Sequence, residues 1–139
     1  MLAMSADCLP IALARANGDS PAVAVMHVGW RGLLAGIVES AVAALGGRAL
    51  AAAIGPAIGP CCYDVRGDVA DPFRARFGWG IVSDGRLDLW RAADAALGDA
   101  GVTHVERLDL CTACHPELFF SHRRDGKPRG VQGVLARVA

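Results

Sequence analysis

Four residues near the start of the sequence are of types that carry chemistry. Asp7 and Cys8 supply a carboxylate and a thiol, and His27 and Arg31 supply an imidazole and a guanidinium. A thiol beside an imidazole can bind a metal ion or form a catalytic pair. An arginine in a glycine-rich turn between a strand and a helix is a common way to hold a phosphate or a carboxylate. These four side chains act together only if the fold brings them to one place.

A β-hairpin would bring Cys8 and His27 together. Two apolar runs, each typical of a strand, flank the turn-forming residues 16–19. If these four residues form the loop, Arg15 pairs with Ser20, and counting back along both strands places Cys8 opposite His27. Side chains directly opposite in a hairpin have Cβ atoms roughly 4.5–5.5 Å apart. The pattern therefore allows a shared site, although a buried thiol and a hydrogen-bonded core histidine would fit it as well.

The four other cysteines lie in two pairs, Cys61 with Cys62 and Cys111 with Cys114. The second pair, with His115, matches the C-x-x-C-H pattern of covalent haem attachment. We do not favour haem, because such domains are exported and mostly helical, whereas we expect no secretory signal and several strands here. The four cysteines could form a structural zinc site, but two adjacent cysteines lack the usual spacer of two to four residues. The spacing therefore argues against a four-cysteine site.

The segment that follows Phe119 and Phe120 is rich in arginine. It contains Ser121, Arg123 and Arg124. Such a segment most often forms a solvent-exposed turn in which the charged side chains pair with one another. We favour an anion clamp, because the two phenylalanines would anchor the segment so that one arginine faces inward.

The overall composition fits one globular domain that spans residues 1–139. Hydrophobic residues make up 53% of the sequence and charged residues 20%, which favours a packed core over disorder. A formal net charge of +0 gives no indication of a nucleic-acid partner, and no apolar stretch reaches membrane-spanning length. We therefore expect a cytoplasmic protein whose cysteines are thiols or metal ligands rather than disulfides.

The predicted elements mix strands and helices without a regular βαβ rhythm. This favours an α/β or α+β fold in which helices flank a mixed β-sheet. Residues 33–45 have helical spacing, and residues 64–77 are predicted to form a helix in two pieces, interrupted by a glycine and a proline. Long loops in compact domains are usually functional, so the loops at 55–63 and 111–130 are predicted to be the walls of the site.

Four motifs together are more specific than any one of them. They are ADCLP at 6–10, HVGWRG at 27–32, IGPAIGP at 54–60 with Tyr63 and Val65, and CT at 111–112 with FFS at 119–121 and RRD at 123–125. In order and approximate spacing they resemble the YfiH family, the laccase-domain purine nucleoside phosphorylases formerly described as polyphenol oxidases. The resemblance covers nearly the whole chain.

The resemblance implies a YfiH-like fold and phosphorolysis of purine nucleosides such as adenosine, inosine and methylthioadenosine, with adenosine deamination as a second activity. It also implies zinc bound by one cysteine and two histidines, of which Cys8 and His27 match the cysteine and one histidine. The family's other histidine comes from a segment upstream of the Ala-Asp-Cys motif, so we expect the third ligand to be missing from this chain. His122 lies where relatives often carry tyrosine and could substitute as that ligand.

Phosphorolysis assigns further roles as hypotheses. Phosphate must attack the ribose C1′ while the purine leaves, so the site needs anion donors, for which Arg31 and one of Arg123 or Arg124 are the candidates. Asp7 could orient His27 or hold the ribose. A metal bound by the cysteine and the histidine could supply the water for deamination.

Three alternatives remain open. A hydrolase could use the Cys8 thiolate, paired with His27, to attack an amide or ester. The chain could instead be a catalytically inactive zinc- or nucleoside-binding module, completed by a partner. A copper phenol oxidase is less favoured, because the four histidines of the sequence are few for such a site. Loss of an upstream segment would also expose apolar surface, so we expect self-association.

Overall fold

The computed structural model describes residues 1–15, 20–46 and 50–138. Its strands and helices follow in this order: β1 (Leu2–Ser5), β2 (Leu9–Arg15), β3 (Ala22–Val28), α1 (Trp30–Leu34), α2 (Ile37–Ala44), β4 (Leu50–Ile54), α3 (Gly67–Phe77), β5 (Val82–Ser83), β6 (Arg86–Leu87), α4 (Leu89–Asp99), β7 (His104–Arg107), α5 (His122–Asp125) and β8 (Gln132–Leu135). A short 3-10 helix, Trp79–Ile81, precedes β5. The mixture of strands and helices confirms the predicted fold class.

The main sheet has four strands in the order β3-β2-β4-β7. β2 pairs antiparallel with both β3 and β4, whereas β4 and β7 are parallel. Ile11 lies opposite Ile54, and both are buried in the core that the helices cover. The residues between these core positions point to the other face of the sheet and are small, as in the pair Ala12 and Ala53. That face is partly exposed. The sheet is therefore mixed, as predicted, and one of its faces forms the core.

The register of the hairpin between β2 and β3 differs from the prediction by two positions. Arg15 pairs with Ala22, and His27 lies opposite Pro10 rather than opposite Cys8. A shift of two residues keeps the same side chains on each face of the hairpin, because successive side chains alternate. It nevertheless moves His27 away from the position directly opposite Cys8.

A proline explains this shift. Pro21 lacks an N–H for the ladder, so β3 begins only at Ala22. The guanidinium of Arg15 donates to the carbonyl oxygen of Ser20 at 2.9 Å, which closes the end of the hairpin without a ladder pair. The residues predicted to form the loop, 16–19, lie outside the described residues.

The helix predicted over 33–45 is two helices, α1 and α2. Gly36, with a φ of +83°, separates them in the left-handed conformation that favours glycine. The apolar spacing continues through the break, which is why the periodicity alone suggests one helix. The break lets α1 begin earlier, at Trp30, directly after β3.

The helix predicted in two pieces over 64–77 is one helix, α3, with Pro72 inside it. Proline removes one backbone donor from a helix, but the buried residues Val69, Ala70 and Phe73 anchor the turns on both sides of it. Tertiary packing therefore overrides the local cost of the proline.

Two smaller sheets complete the structure. β1 pairs antiparallel with β8, with Leu2 opposite Leu135, and β5 pairs with β6. Within the described residues, no helix is both long enough and apolar enough to cross a membrane.

Candidate functional site

A cavity of about 330 Å³ opens beside the start of β2 and the start of α1. Residues from five segments line it: Ala6, Asp7, Cys8, Trp30, Arg31, Ile58, Tyr63, Leu89, His122 and Arg123. Both loops predicted as walls contribute, the first through Ile58 and Tyr63 and the second through His122 and Arg123. The volume lies at the lower end of the range for small-molecule sites.

Asp7 joins three walls of this cavity. Its buried carboxylate accepts a hydrogen bond from the Thr112 hydroxyl at 2.6 Å and another from the backbone N–H of Arg123 at 2.7 Å. Its backbone carbonyl accepts a third from the N–H of Ile58 at 2.9 Å. Asp7 has a φ of +87°, a conformation that an aspartate adopts rarely and that the three bonds maintain. Asp7 thus positions the walls, and the partners of its carboxylate are Thr112 and Arg123 rather than His27.

Thr112 is the residue of this arrangement that our sequence reasoning missed as a site residue. It is fully buried, and its hydroxyl bonds to Asp7 across 105 positions of sequence. The only signal for it was its place in the Cys-Thr motif after the last strand of the main sheet.

Arg31 projects from the first turn of α1 and lines the cavity. Its guanidinium lies 4.1 Å from the ring centroid of Trp30, a cation–π contact that fixes its direction. Among the described residues, no carboxylate forms an ion pair with it. Arg31 therefore provides a cation that is free to bind an anion.

Arg123 is a second cation at the cavity. Both of its terminal nitrogens donate to the carbonyl oxygen of Asp64 at 3.1 Å, and its guanidinium lies 5.4 Å from the Tyr63 ring centroid. Burial, followed by the charge of the nearby Cys8, raises the pKa of Tyr63 to about 12. The phenol beside Arg123 is therefore neutral at physiological pH.

Arg124 and Ser121 do not line the cavity. The guanidinium of Arg124 donates to the carbonyl oxygens of Thr112 and Phe119, each at 2.9 Å. Ser121 is fully buried, and its hydroxyl accepts the N–H of Arg124 at 3.1 Å, which caps α5. Of the predicted clamp, Arg123 alone reaches the cavity, and the other two residues hold the segment in shape.

Cys8 and His27 have different surroundings. The thiol of Cys8 is half-buried in the cavity wall and close to Gly29, where a Cβ would lie 3.1 Å from Sγ. Burial and the neighbouring charge of Asp7 raise the pKa of Cys8, which is the opposite of what a nucleophilic thiolate needs. His27 is exposed, does not line the cavity, and bonds through Nδ1 to the carbonyl oxygen of Met4 at 2.8 Å. These surroundings do not favour a Cys/His hydrolase.

Each of these two side chains carries a donor atom of a type that zinc accepts. A carbonyl oxygen only accepts, so Nδ1 of His27 donates to Met4, and Nε2 of the neutral ring keeps the lone pair that a metal ligand needs. Catalytic zinc takes three protein ligands. Within the described part of the chain, Cys8, His27 and His122 belong to no group of three or more converging metal-binding side chains. The residues described here thus supply two ligands at most.

The four cysteines that the spacing argued against do come together. The sulfurs of Cys61, Cys62, Cys111 and Cys114 all lie within 4.8 Å of one another and could hold a metal ion. Burial raises the pKa of Cys62 to about 11. Burial would also raise the pKa of Cys111, but hydrogen bonds from backbone N–H groups, that of Gly59 foremost, lower it to about 7. The cluster is the one group of three or more metal-binding side chains in the described ranges.

A family model described as multi-copper polyphenol oxidoreductase laccase matches residues 1–138. The chain belongs to this family. A purine nucleoside phosphorylase of Pseudomonas aeruginosa is 39% identical to it over 134 residues, which cover 89% of this chain and 54% of that protein. The purine nucleoside phosphorylase YlmD of Geobacillus stearothermophilus is 40% identical over 146 residues, which cover 94% of this chain and 52% of YlmD.

Solved structures of similar proteins share the fold. A Neisseria meningitidis protein superposes with a TM-score of 0.84 at 33% identity, over 95% of this chain and 57% of that one. YfiH of Bacillus licheniformis superposes with a TM-score of 0.83, also at 33% identity, over 95% of this chain and 55% of YfiH. The predicted YfiH resemblance and fold are confirmed. The chain spans about half the length of the curated relatives it matches.

Proposed function

We propose that this laccase-family chain takes part in purine nucleoside phosphorolysis, with phosphate and nucleoside bound in the cavity beside α1. The observation that carries the proposal is Arg31, a cation without an acidic partner among the described residues, in a cavity that also holds Arg123. The names of the curated relatives support it, since they are purine nucleoside phosphorylases. Adenosine, inosine and methylthioadenosine are the proposed substrates, and adenosine deamination is the proposed second activity.

In phosphorolysis, a phosphate oxygen forms a bond to the ribose C1′ while the bond from C1′ to the purine nitrogen breaks. The electron pair of the broken bond leaves with the base. Arg31 and Arg123 would bind the phosphate and set the direction of its attack, because each guanidinium is oriented by an aromatic ring. Asp7 would act as a positioning residue, since its carboxylate holds the backbone of Arg123.

Zinc would supply an activated water for deamination when it is bound. Cys8 and His27 are the proposed ligands from this chain, and they provide two of the three that such a site needs. We therefore derive phosphate binding from the two arginines alone. We also propose a cytoplasmic location, which the five free cysteines support.

Titration calorimetry with inorganic phosphate tests the binding part of the proposal. Arg31→Ala should weaken phosphate binding roughly ten- to hundredfold, the value of a charged hydrogen bond. Arg66→Ala is the matched control, because Arg66 is exposed and outside the cavity lining. Equal phosphate affinities in the wild type and Arg31→Ala would contradict the proposal. Tight binding without any turnover would instead favour an inactive nucleoside-binding module.

A further inference from the structure

Two segments of the chain present cysteines to each other away from the cavity lining. Cys61 and Cys62 follow the Gly-Pro pairs after β4, and Cys111 and Cys114 follow β7. The sulfurs of Cys61 and Cys62 lie 3.5 and 3.4 Å from the sulfur of Cys114. All four lie within 4.8 Å of one another.

These distances match a tetrahedral metal site. A zinc–sulfur bond of about 2.3 Å places the sulfurs at the corners of a tetrahedron whose edge is about 3.8 Å. The separations of Cys61 and Cys62 from Cys114, 3.5 and 3.4 Å, are slightly shorter than that edge, and no pair of the four sulfurs is more than 4.8 Å apart. A disulfide has a bond of about 2.05 Å and joins two sulfurs only, so it would leave the other two thiols without a partner. A single ion satisfies all four at once.

A tight turn explains how two adjacent cysteines can both serve as ligands. The N–H groups of Cys62 and Tyr63 both donate to the carbonyl oxygen of Gly59 at 3.0 Å. The chain curls around this carbonyl, so that both thiols reach Cys114. A spacer between two ligand cysteines is needed where the backbone is extended, and here the turn replaces it.

The buried side of the cluster is already organised. The N–H of Gly59 donates to Sγ of Cys111 at 3.3 Å, as backbone donors do around metal-bound thiolates. A side chain at residue 59 is excluded, because its Cβ would lie 2.5 Å from the buried ring of Trp90. Ala57 and Cys111 form a parallel bridge that holds the two segments in register.

The other side of the cluster is open. Cys61 and Cys114 are exposed, which gives a metal ion a route to the four sulfurs. Four thiolates select zinc or iron over magnesium and calcium, and zinc is the ion of closed, four-thiolate structural sites. We propose that Cys61, Cys62, Cys111 and Cys114 bind one structural zinc ion.

Such a zinc site would tie together two walls of the cavity. Tyr63, which lines the cavity, is adjacent to Cys62, and Thr112, which bonds to Asp7, is adjacent to Cys111. The ion would fix the loop at 55–63 to the loop at 111–130. The site is separate from Cys8 and His27, which belong to other segments.

Metal analysis of variants tests the site without any assay of activity. The chain is stripped with a chelator under reducing conditions, offered one equivalent of Zn²⁺, and freed of unbound metal. Wild type and the control Cys8→Ser should each retain about one zinc per chain, and Cys114→Ser should retain almost none. Cys114 is exposed, so its serine variant should fold. Full retention by Cys114→Ser, or loss of zinc in Cys8→Ser alone, would overturn the proposal.

Cobalt gives an independent readout on unmutated protein. Co²⁺ bound by four thiolates in a tetrahedron absorbs strongly in the visible and near ultraviolet, and its sulfur charge-transfer bands report thiolate ligands. Wild type and Cys8→Ser should both show this spectrum, and added Zn²⁺ should abolish it. A wild-type chain that shows only the weak spectrum of octahedral Co²⁺, or one that holds iron in preference to zinc when offered both, would refute the assignment.

Discussion

At the scale of single residues, the cavity is organised by Asp7. Its two carboxylate oxygens and its backbone carbonyl each accept a bond from a different segment, so one residue sets the positions of Thr112, Arg123 and Ile58. Removing a buried acceptor lowers the free energy of unfolding, because its donors are left without a partner and cannot hydrogen-bond to water instead. This concentrates the stability of the site in a side chain that need not touch the substrate.

Asp7→Asn tests this role. Asparagine tolerates the positive φ, but its amide has only one oxygen, so either the Thr112 hydroxyl or the Arg123 N–H loses its acceptor. We expect the free energy of unfolding in urea to fall by roughly 1–3 kcal/mol. Thr112→Val, which removes one bond and keeps the carboxylate, should cost less. A stability equal to that of the wild type would exclude Asp7 as the organising residue.

Tyr63 gives a prediction about pH. Burial raises its pKa to about 12, whereas the phenol of an unfolded chain ionises near its ordinary value of about 10. The folded chain therefore holds the phenolic proton more tightly, and the stability from this group is complete below about pH 10 and is lost as the pH rises towards 12. Tyr63→Phe should lose less stability than the wild type over this interval. The measurement is urea denaturation at several pH values between about 10 and 12. Equal losses of stability in the wild type and Tyr63→Phe would show that the ionisation of Tyr63 is not linked to folding.

The residue types and motifs of the sequence identified most of the cavity, but not the roles within it. Asp7, Cys8, Arg31 and Arg123 were predicted as site residues, and all four line it. Which of two neighbouring arginines faces inward depends on the path of α5, and a four-residue helix has no periodicity to reveal it. Thr112 gave no chemical signal, since a threonine becomes a site residue only through the partner that the fold brings to it.

At the scale of elements, two predictions from spacing were wrong for physical reasons that the structure shows. The hairpin register is set by Pro21, which cannot join the ladder and delays the start of β3. The four cysteines assemble because the turn at Gly59 brings adjacent thiols to one side. In both cases the prediction assumed regular backbone geometry, whereas the backbone is irregular at Pro21 and in the turn at Gly59.

Metal removal should act on the elements that the cysteine cluster joins. After chelation, we expect faster amide hydrogen exchange at Tyr63 and at Thr112, since both neighbour ligand cysteines, and a lower melting temperature. The centre of β2, at Ile11, should keep its protection. A uniform change in exchange across the chain, or no change at all, would contradict a local role for the metal.

At the scale of the whole molecule, the described surface has an apolar patch on β1 and β8. Leu2 and Leu135 lie opposite each other in the register and are 62% and 75% exposed, and Met4 on the same face is 55% exposed. Side chains of this size, contiguous and exposed, commonly mark a contact surface. The patch lies beside His27, because the ring of His27 bonds to the backbone of Met4.

Self-association through this patch stays a prediction with a direct measurement. Analytical ultracentrifugation should show a mass that rises with concentration for the wild type and less so for Leu135→Ser, because the serine removes apolar surface from the patch. Trp79→Ser is the matched control, since Trp79 is 81% exposed but lies elsewhere, against Arg74. A wild-type chain that remains a monomer at all concentrations would contradict the expectation.

The fold class was predictable because apolar residues recur with a different period in strands and in helices. The YfiH resemblance then indicated how these elements are arranged. The break at Gly36 and the continuous helix through Pro72 were not predictable from local pattern. Both depend on packing between elements, which decides whether a glycine or a proline ends a helix.

Phosphate-dependent release of free purine from adenosine or inosine by the purified chain tests the proposed function most directly. We predict release that requires phosphate, that yields ribose 1-phosphate in equal amount, and that Arg31→Ala weakens at low phosphate while Arg66→Ala does not. Release that proceeds equally without phosphate, or that is unchanged by Arg31→Ala, would contradict the assignment of the cavity to phosphorolysis.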